Sequence, residues 1–214
     1  MITNVIRQQI SEACSTANSS IQLRNHLQSL VTAQNGYADP QTVAQLETLL
    51  TGLIQELPDN LDALVLAADR QGVGHLLLPV IELIVQYYLT PNDFIPDQAG
   101  LLGLLDDTYL ATALVYYLAL TYQQETGVPL LSVDLGPAVG ILKSVIGLPI
   151  TSQLDQIVNL TLQSVALQYQ QMVAQWRGTL NYSGSRTGGP GSWGNDWESE
   201  MARLGAEMGI SMNF

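Results

Sequence analysis

Four carboxylates, Asp93, Asp97, Asp106 and Asp107, fall within fifteen residues. Ligands that offer only oxygen suit a hard divalent cation, Mg²⁺, Mn²⁺ or Ca²⁺, rather than zinc. Two prolines and two glycines from Pro91 to Gly103 force a compact corner in which the four could converge. A cation held there with an open coordination position would support metal-assisted hydrolysis. The competing reading is structural. Asp93 can accept backbone N–H bonds in the turn before Pro96. Asp106 and Asp107 stand at a helix start, where carboxylates cap free N–H groups and favour the helix dipole. The structural reading is preferred and the divalent-cation site is its alternative. No catalytic residue and no cofactor-binding residue is assigned.

The remaining candidates are weaker. His26 and His75 are the only histidines. His75 lies two turns before Glu82 and could join the carboxylates, although a local hydrogen bond is the commoner role for such a side chain. No His-x-x-x-His or Cys-x-x-Cys pair exists, which argues against structural zinc. Gly136 to Ser144 superficially resembles a phosphate-binding loop. However, two apolar residues separate Gly140 from Lys143, and no strand precedes it. Cys14 sits in a helical stripe and is expected in the core. Tyr87, Tyr88, Tyr109, Tyr116, Tyr117 and Tyr122 are expected to line a helix pair as packing groups.

The elements that must position these residues are helices. Ile2, Ile6, Ile10, Ala13 and Ala17 step by three or four, and Leu23, Leu27 and Leu30 resume the pattern after the polar run 18–20. Asn35-Gly36 ends that segment. Asp39 caps the next helix with Pro40 at its first position, and Pro58-Asp59-Asn60 is expected to punctuate it. Gly72 and Gly74 precede the apolar stretch 76–89, and a long helix follows from about Leu104 to Glu125, ending at Gly127. A short apolar helix reaches Gly147. Thr151 is expected to cap a last long helix whose stripe is Leu154, Val158, Leu162, Val165, Tyr169, Met172 and Trp176, facing this chain's own core or, alternatively, a second copy. Residues 182–194 are rich in Ser, Gly, Thr and Pro and read as a linker. Beyond it a short helix holds Trp197, Met201, Leu204 and Met208. With Trp193 these form a candidate partner-binding set, docked on this domain or in a partner's groove.

Composition bounds the function. The chain has 47% hydrophobic and only 12% charged residues, with 7 Lys plus Arg against 19 Asp plus Glu and a net charge of -12. A nucleic-acid binder needs a basic stripe to replace phosphate counterions, so nucleic acid is excluded as a partner. A single cysteine and a start without a signal-like apolar stretch lead us to expect a cytoplasmic protein, in one reading peripheral to a membrane. Stretches 76–89 and 108–122 are shorter than the roughly 20 residues of a spanning helix. They are expected as buried core helices, with a membrane-associated hairpin as the alternative.

Thr90, Pro91, Asp93, Ile95, Pro96 and Asp97, then after five residues Gly103, Asp106 and Asp107, occupy nine fixed positions in one pattern. The pattern resembles the signature of the YkvA-like family, a bacterial domain of unknown function. In that family a helix ends in Ser/Thr-Pro-x-Asp-x-Ile-Pro-Asp, and Gly-x-x-Asp-Asp opens the next. The resemblance covers about 76–122. It implies a helical hairpin, associated with membranes in some members, and no established reaction. The chain is therefore expected to be all-α, a multi-helix bundle over 1–180 built around a central hairpin, followed by a linker at 181–194 and a docking helix at 195–214. Its expected role is that of a non-catalytic interaction protein or accessory subunit with a protein partner or a second copy, and no small-molecule substrate is identified. A divalent-metal protein, hydrolytic in one form, is the alternative.

Overall fold

The computed structural model describes residues 3–15, 18–70, 74–90, 94–131 and 133–164. Among them are seven α-helices and no strand. The helices are α1 (Asn4–Ser15), α2 (Ser19–Asn35), α3 (Pro40–Arg70), α4 (Gly74–Tyr88), α5 (Leu104–Thr126), α6 (Gly136–Ile146) and α7 (Leu148–Ser164). A 3₁₀ segment, Asp97–Leu102, joins α4 to α5. The seam from Val165 to Trp176, the domain boundary at 180, the linker and the tail helix lie outside the described residues.

The hub is α5. Leu104, Leu105, Tyr109, Leu110, Leu114, Leu118 and Tyr122 are all buried, as are Ala111 and Ala113 between them. A helix this apolar on all sides has no face to leave in water. It is accordingly packed by α3, α4, α6, α7 and the 3₁₀ segment. The stretch 98–124 is long and apolar enough to cross a membrane, but 83% of its apolar window is already covered by protein. The expected hairpin is present as α4 and α5, yet its two arms are unequal: α5 is central, and α4 is a flank packed on α1, α3 and α5.

Local chemistry sets most boundaries. Gly36 and Gly127 close α2 and α5 in the left-handed conformation (φ 74 and 73), with N–H bonds of 2.8 Å to Thr32 O and Gln123 O. Asp39 caps α3: its Oδ2 accepts the Thr42 N–H at 2.8 Å and the Thr42 hydroxyl at 3.0 Å, which holds the carboxyl below its usual pKa.

Three expectations are corrected. α3 runs through Pro58 to Arg70 instead of breaking there. Proline removes one helical N–H bond, but Leu53, Ile54, Leu57, Leu61 and Leu64 are buried on both sides of it and keep one axis. α7 starts at Leu148, directly after Gly147 (φ 91), so Thr151 is inside the helix and donates back to Gly147 O at 3.1 Å. Cys14 is exposed, because the buried stripe of α1 is Ile6, Ile10 and Ala13 and the next residue points 100° away. Its Sγ accepts from Gln55 Nε2 at 3.5 Å.

The N-terminal helices brace the corner between α4 and α5. The 3₁₀ segment packs on α1 and α2. The Leu101 N–H donates to Ser19 Oγ at 2.7 Å, and Ser19 is itself buried. Gly100 has φ 63, and a methyl group there would lie 2.4 Å from Ser19 Oγ and 3.0 Å from Ser19 Cα. α1 is fixed to α3 by Arg7, which pairs with Asp59 and with Asp62 (2.7 Å), and by Thr3 Oγ1 donating to Asp62 at 2.8 Å.

Gly100→Ala is expected to destabilise the fold by about 2 kcal/mol, from the strained φ and the collision with Ser19. Gly52→Ala, inside α3 with nothing within 4 Å of the new methyl, is expected to stabilise it by up to about 1 kcal/mol. Denaturant midpoints of the two variants check both signs.

Candidate functional site: the aspartate corner

Asp106 and Asp107 lie in the first turn of α5 and are buried, with 0% and 2% of their surface exposed. Asp106 Oδ2 accepts the Ile95 N–H at 3.1 Å. Asp93, expected to close this turn, lies outside the described residues, and Asp106, expected as a cap, is the acceptor here. The carboxylate that ties the turn comes from α5 and reaches back across the corner. The N-cap of α5 is Gly103, which has no side chain to make a cap bond, so the acidic pair contributes at that end through its charge near the free N–H groups.

Tyr88, at the end of α4, is buried beside the pair. Thr108 Oγ1 donates to Leu104 O at 2.6 Å, so it accepts the Tyr88 hydroxyl proton at 3.1 Å. Burial pushes the Tyr88 phenol well above its usual pKa, and the Asp107 charge, with a smaller contribution from Asp106, pushes the same way against the Thr108 bond. The corner is thus a polar joint between α4, the 94–95 segment and α5, and the neighbouring Leu101, Leu104 and Leu105 are buried.

Of the four predicted carboxylates, the structure places Asp106 and Asp107 side by side. Asp93 lies outside the described residues, as do the side chains of Asp97 and His75. Among the described residues no group of three or more His, Cys, Asp or Glu side chains is arranged to hold a metal ion. His26 is engaged over a long range: Nε2 donates to Val145 O at 2.7 Å and ties α2 to the last turn of α6.

Sequence reasoning missed a second polar joint. Asp155 on α7 accepts Tyr109 OH at 2.5 Å through Oδ1 and Lys143 Nζ at 2.6 Å through Oδ2. Burial raises the Tyr109 pKa, and the hydrogen bond and charge of Asp155 add to it. Tyr116 is raised by burial and then by Asp134, which accepts the Gly136 N–H at 2.8 Å where α6 begins. The residue types were visible, but 46 residues separate Tyr109 from Asp155, and no local spacing announces that pairing. Lys143, considered above for phosphate, is committed to Asp155.

One cavity lies between α3 and α5, bordered by Leu57, Asn60, Leu64, Thr112 and Leu135 among others, with a volume of about 20 Å³. That is room for about one water molecule. In comparisons with known proteins, no family model, no curated protein and no solved structure matches the chain.

Asp106→Ala is expected to lower stability by about 1–3 kcal/mol, because the part-buried Ile95 N–H loses its acceptor. Asn at the same position, which retains an acceptor oxygen, should cost less. The thermal midpoint of the wild type is expected to be the same in Mg²⁺, Mn²⁺, Ca²⁺ or chelator. A cation-dependent rise that disappears in Asp106→Asn/Asp107→Asn would assign the corner to a hard cation instead.

Both buried phenols have folded-state pKa values above the unfolded value of about 10. Their contribution is complete below that pH and is lost as pH rises from there towards the folded values. In a base titration, phenolate absorbance from Tyr88 and Tyr109 should therefore appear together with loss of helical circular dichroism. Titration of all nine tyrosines with the helices intact would contradict this.

Proposed function

We propose that this chain is a non-catalytic helical interaction protein of the YkvA-like type, an accessory subunit or adaptor that binds a protein partner through α4. The observation that carries the reading is the outer face of that helix. α4 contains one charged residue, Glu82. Its inner side, Leu77, Val80, Ile81, Ile84 and Tyr88, is buried against the bundle, whereas Leu78 and Leu89 are 38% and 52% exposed and Val85 is only partly covered. Leu78 and Leu89 flank an outer face that also exposes Pro79, Glu82 and Gln86, and exposed apolar side chains at both ends of a helix face are what a helix-in-groove or helix-on-helix partner covers.

Charge supports a protein partner over the other classes. Arg7, Arg24 and Lys143 are paired with carboxylates, and a net charge of -12 repels both nucleic acid and anionic lipid. The buried aspartates serve this role indirectly, as the joint that orients α4 on α5. A cytoplasmic setting goes with the reading, since an exposed single thiol persists in a reducing compartment.

The test is isolation of the full chain from its own cells with crosslinking at native abundance. One companion protein, or a second copy, in fixed stoichiometry is expected. It should be lost in Leu78→Glu/Leu89→Glu protein whose thermal midpoint is unchanged. A monomer without a companion, or a companion indifferent to the α4 substitutions, would remove the reading.

A further inference from the structure

We infer that Tyr116, Tyr117 and Asp134 form a docking site for an arginine side chain on a basic protein partner. The site lies where α5 meets the start of α6. It goes beyond the α4 reading and does not depend on it.

Aromatic geometry is the first argument. Tyr116 and Tyr117 are neighbours on α5, and a helix turns neighbouring side chains about 100° apart. Their rings nevertheless meet, with centroids 5.1 Å apart and planes tilted by 58°. Tyr116 packs partly against the core, whereas Tyr117 stays 38% exposed. The other tyrosines of α5, Tyr109 and Tyr122, are buried in the bundle. A ring held in place by a tilted neighbour and open to solvent can receive a cation on its electron-rich face, and arginine is the cation that most often does so.

Charge is the second argument. Asp134 is exposed, and its Oδ1 accepts the Gly136 N–H at 2.8 Å. A carboxylate has roughly four acceptor positions, so this bond does not exhaust it. The carboxylate borders the aromatic pair. A methyl group placed on Gly136 would lie 3.1 Å from Asp134 Oδ1, 3.6 Å from Asp134 Oδ2 and 3.4 Å from Tyr116 Oη. Glycine at 136 thus keeps a small hollow open between the two groups. Burial raises the Tyr116 phenol, and the Asp134 charge adds to it, so the phenol keeps its proton and the negative charge stays on Asp134. The cation of α6, Lys143, is engaged by Asp155 at 2.6 Å.

A guanidinium suits this arrangement because it is both a plane and a fork. It can stack on the Tyr117 ring while its N–H groups pair with Asp134, whereas an ammonium is a point charge that serves one contact at a time. The net charge of -12 draws a basic partner towards the surface.

The test is an NMR titration of the full chain with acetyl-arginine amide, against its uncharged analogue acetyl-citrulline amide. The Tyr116 and Tyr117 ring resonances are expected to shift and saturate with the arginine probe and to stay in place with the citrulline one. Tyr117→Leu, read at the Tyr116 ring, and Asp134→Asn should each weaken binding by about two- to fivefold with the thermal midpoint retained. Tyr117→Phe keeps the ring and should bind like the wild type. So should Glu12→Gln, which removes an exposed negative charge on α1. The peptide acetyl-Gly-Arg-Gly amide should bind at least as tightly as the single residue. Absence of a saturable shift, or equal shifts with arginine and citrulline, overturns the proposal. A loss in Glu12→Gln as large as in Asp134→Asn also overturns it, since attraction would then follow overall charge. Tighter binding of acetyl-lysine amide overturns the choice of a guanidinium, and weaker binding of the peptide overturns the protein partner in favour of a free small cation.

Discussion

A helix that is apolar all round can be stable in water only if other elements surround it, and α5 imposes that requirement on the whole molecule. Its buried side chains, from Leu104 to Tyr122, contact α3, α4, α6 and α7. Each fully buried Leu or Tyr removes apolar surface worth about 1.5–3 kcal/mol. α3, α4, α6 and α7 are arranged as a sleeve around it, and α1 and α2 pack outside on α3 and the 3₁₀ segment. α3 is long enough to cover its side because burial on both flanks of Pro58 holds one axis together. α7 follows α6 with no intervening residue but Gly147, since both must lie against α5.

A sleeve of apolar contacts has little to fix its register, because such contacts are non-directional. Polar joints supply direction at a few places. Asp106 receives Ile95, Tyr88 donates to Thr108, Ser19 receives Leu101, and Asp155 gathers Tyr109 and Lys143. Each joint spans two or three segments, and each holds buried or part-buried polar atoms that would be costly without their partners. The aspartate corner is one of these joints. It ties the 94–95 segment and the end of α4 to the first turns of α5.

The outward face of α4 is where the function is proposed to lie. Between α3 and α5 lies a cavity with room for about one water molecule. The positive charges described are largely spent on internal pairs. What the surface of α4 offers is Leu78 and Leu89, one at each end of an exposed helix face, which suits a helix from a partner.

Several features were legible in the amino-acid order alone, because they depend on a few consecutive residues. The helical class, the ends at Gly36 and Gly127, the Asp39 cap and the turn between α4 and α5 are of this kind. Glycine at positive φ, a carboxylate before a free helical N–H, and an apolar period of 3.6 act within a turn or two. Other features had no local signal. Pro58 read as a stop, but burial of Leu53, Ile54, Leu57 and Leu61 overrode it. Cys14 read as core, but one helical step turned it to solvent. Asp106 read as a cap, yet it binds Ile95, and Asp155 was not singled out at all. The sequence by itself determined which segments are helices and that one of them must be central, since periodicity and composition are properties of neighbours. Tertiary structure alone decided which carboxylate meets which N–H and which side of α4 remains uncovered. Those depend on the packing angles of helices distant along the chain, and no run of adjacent residues encodes them.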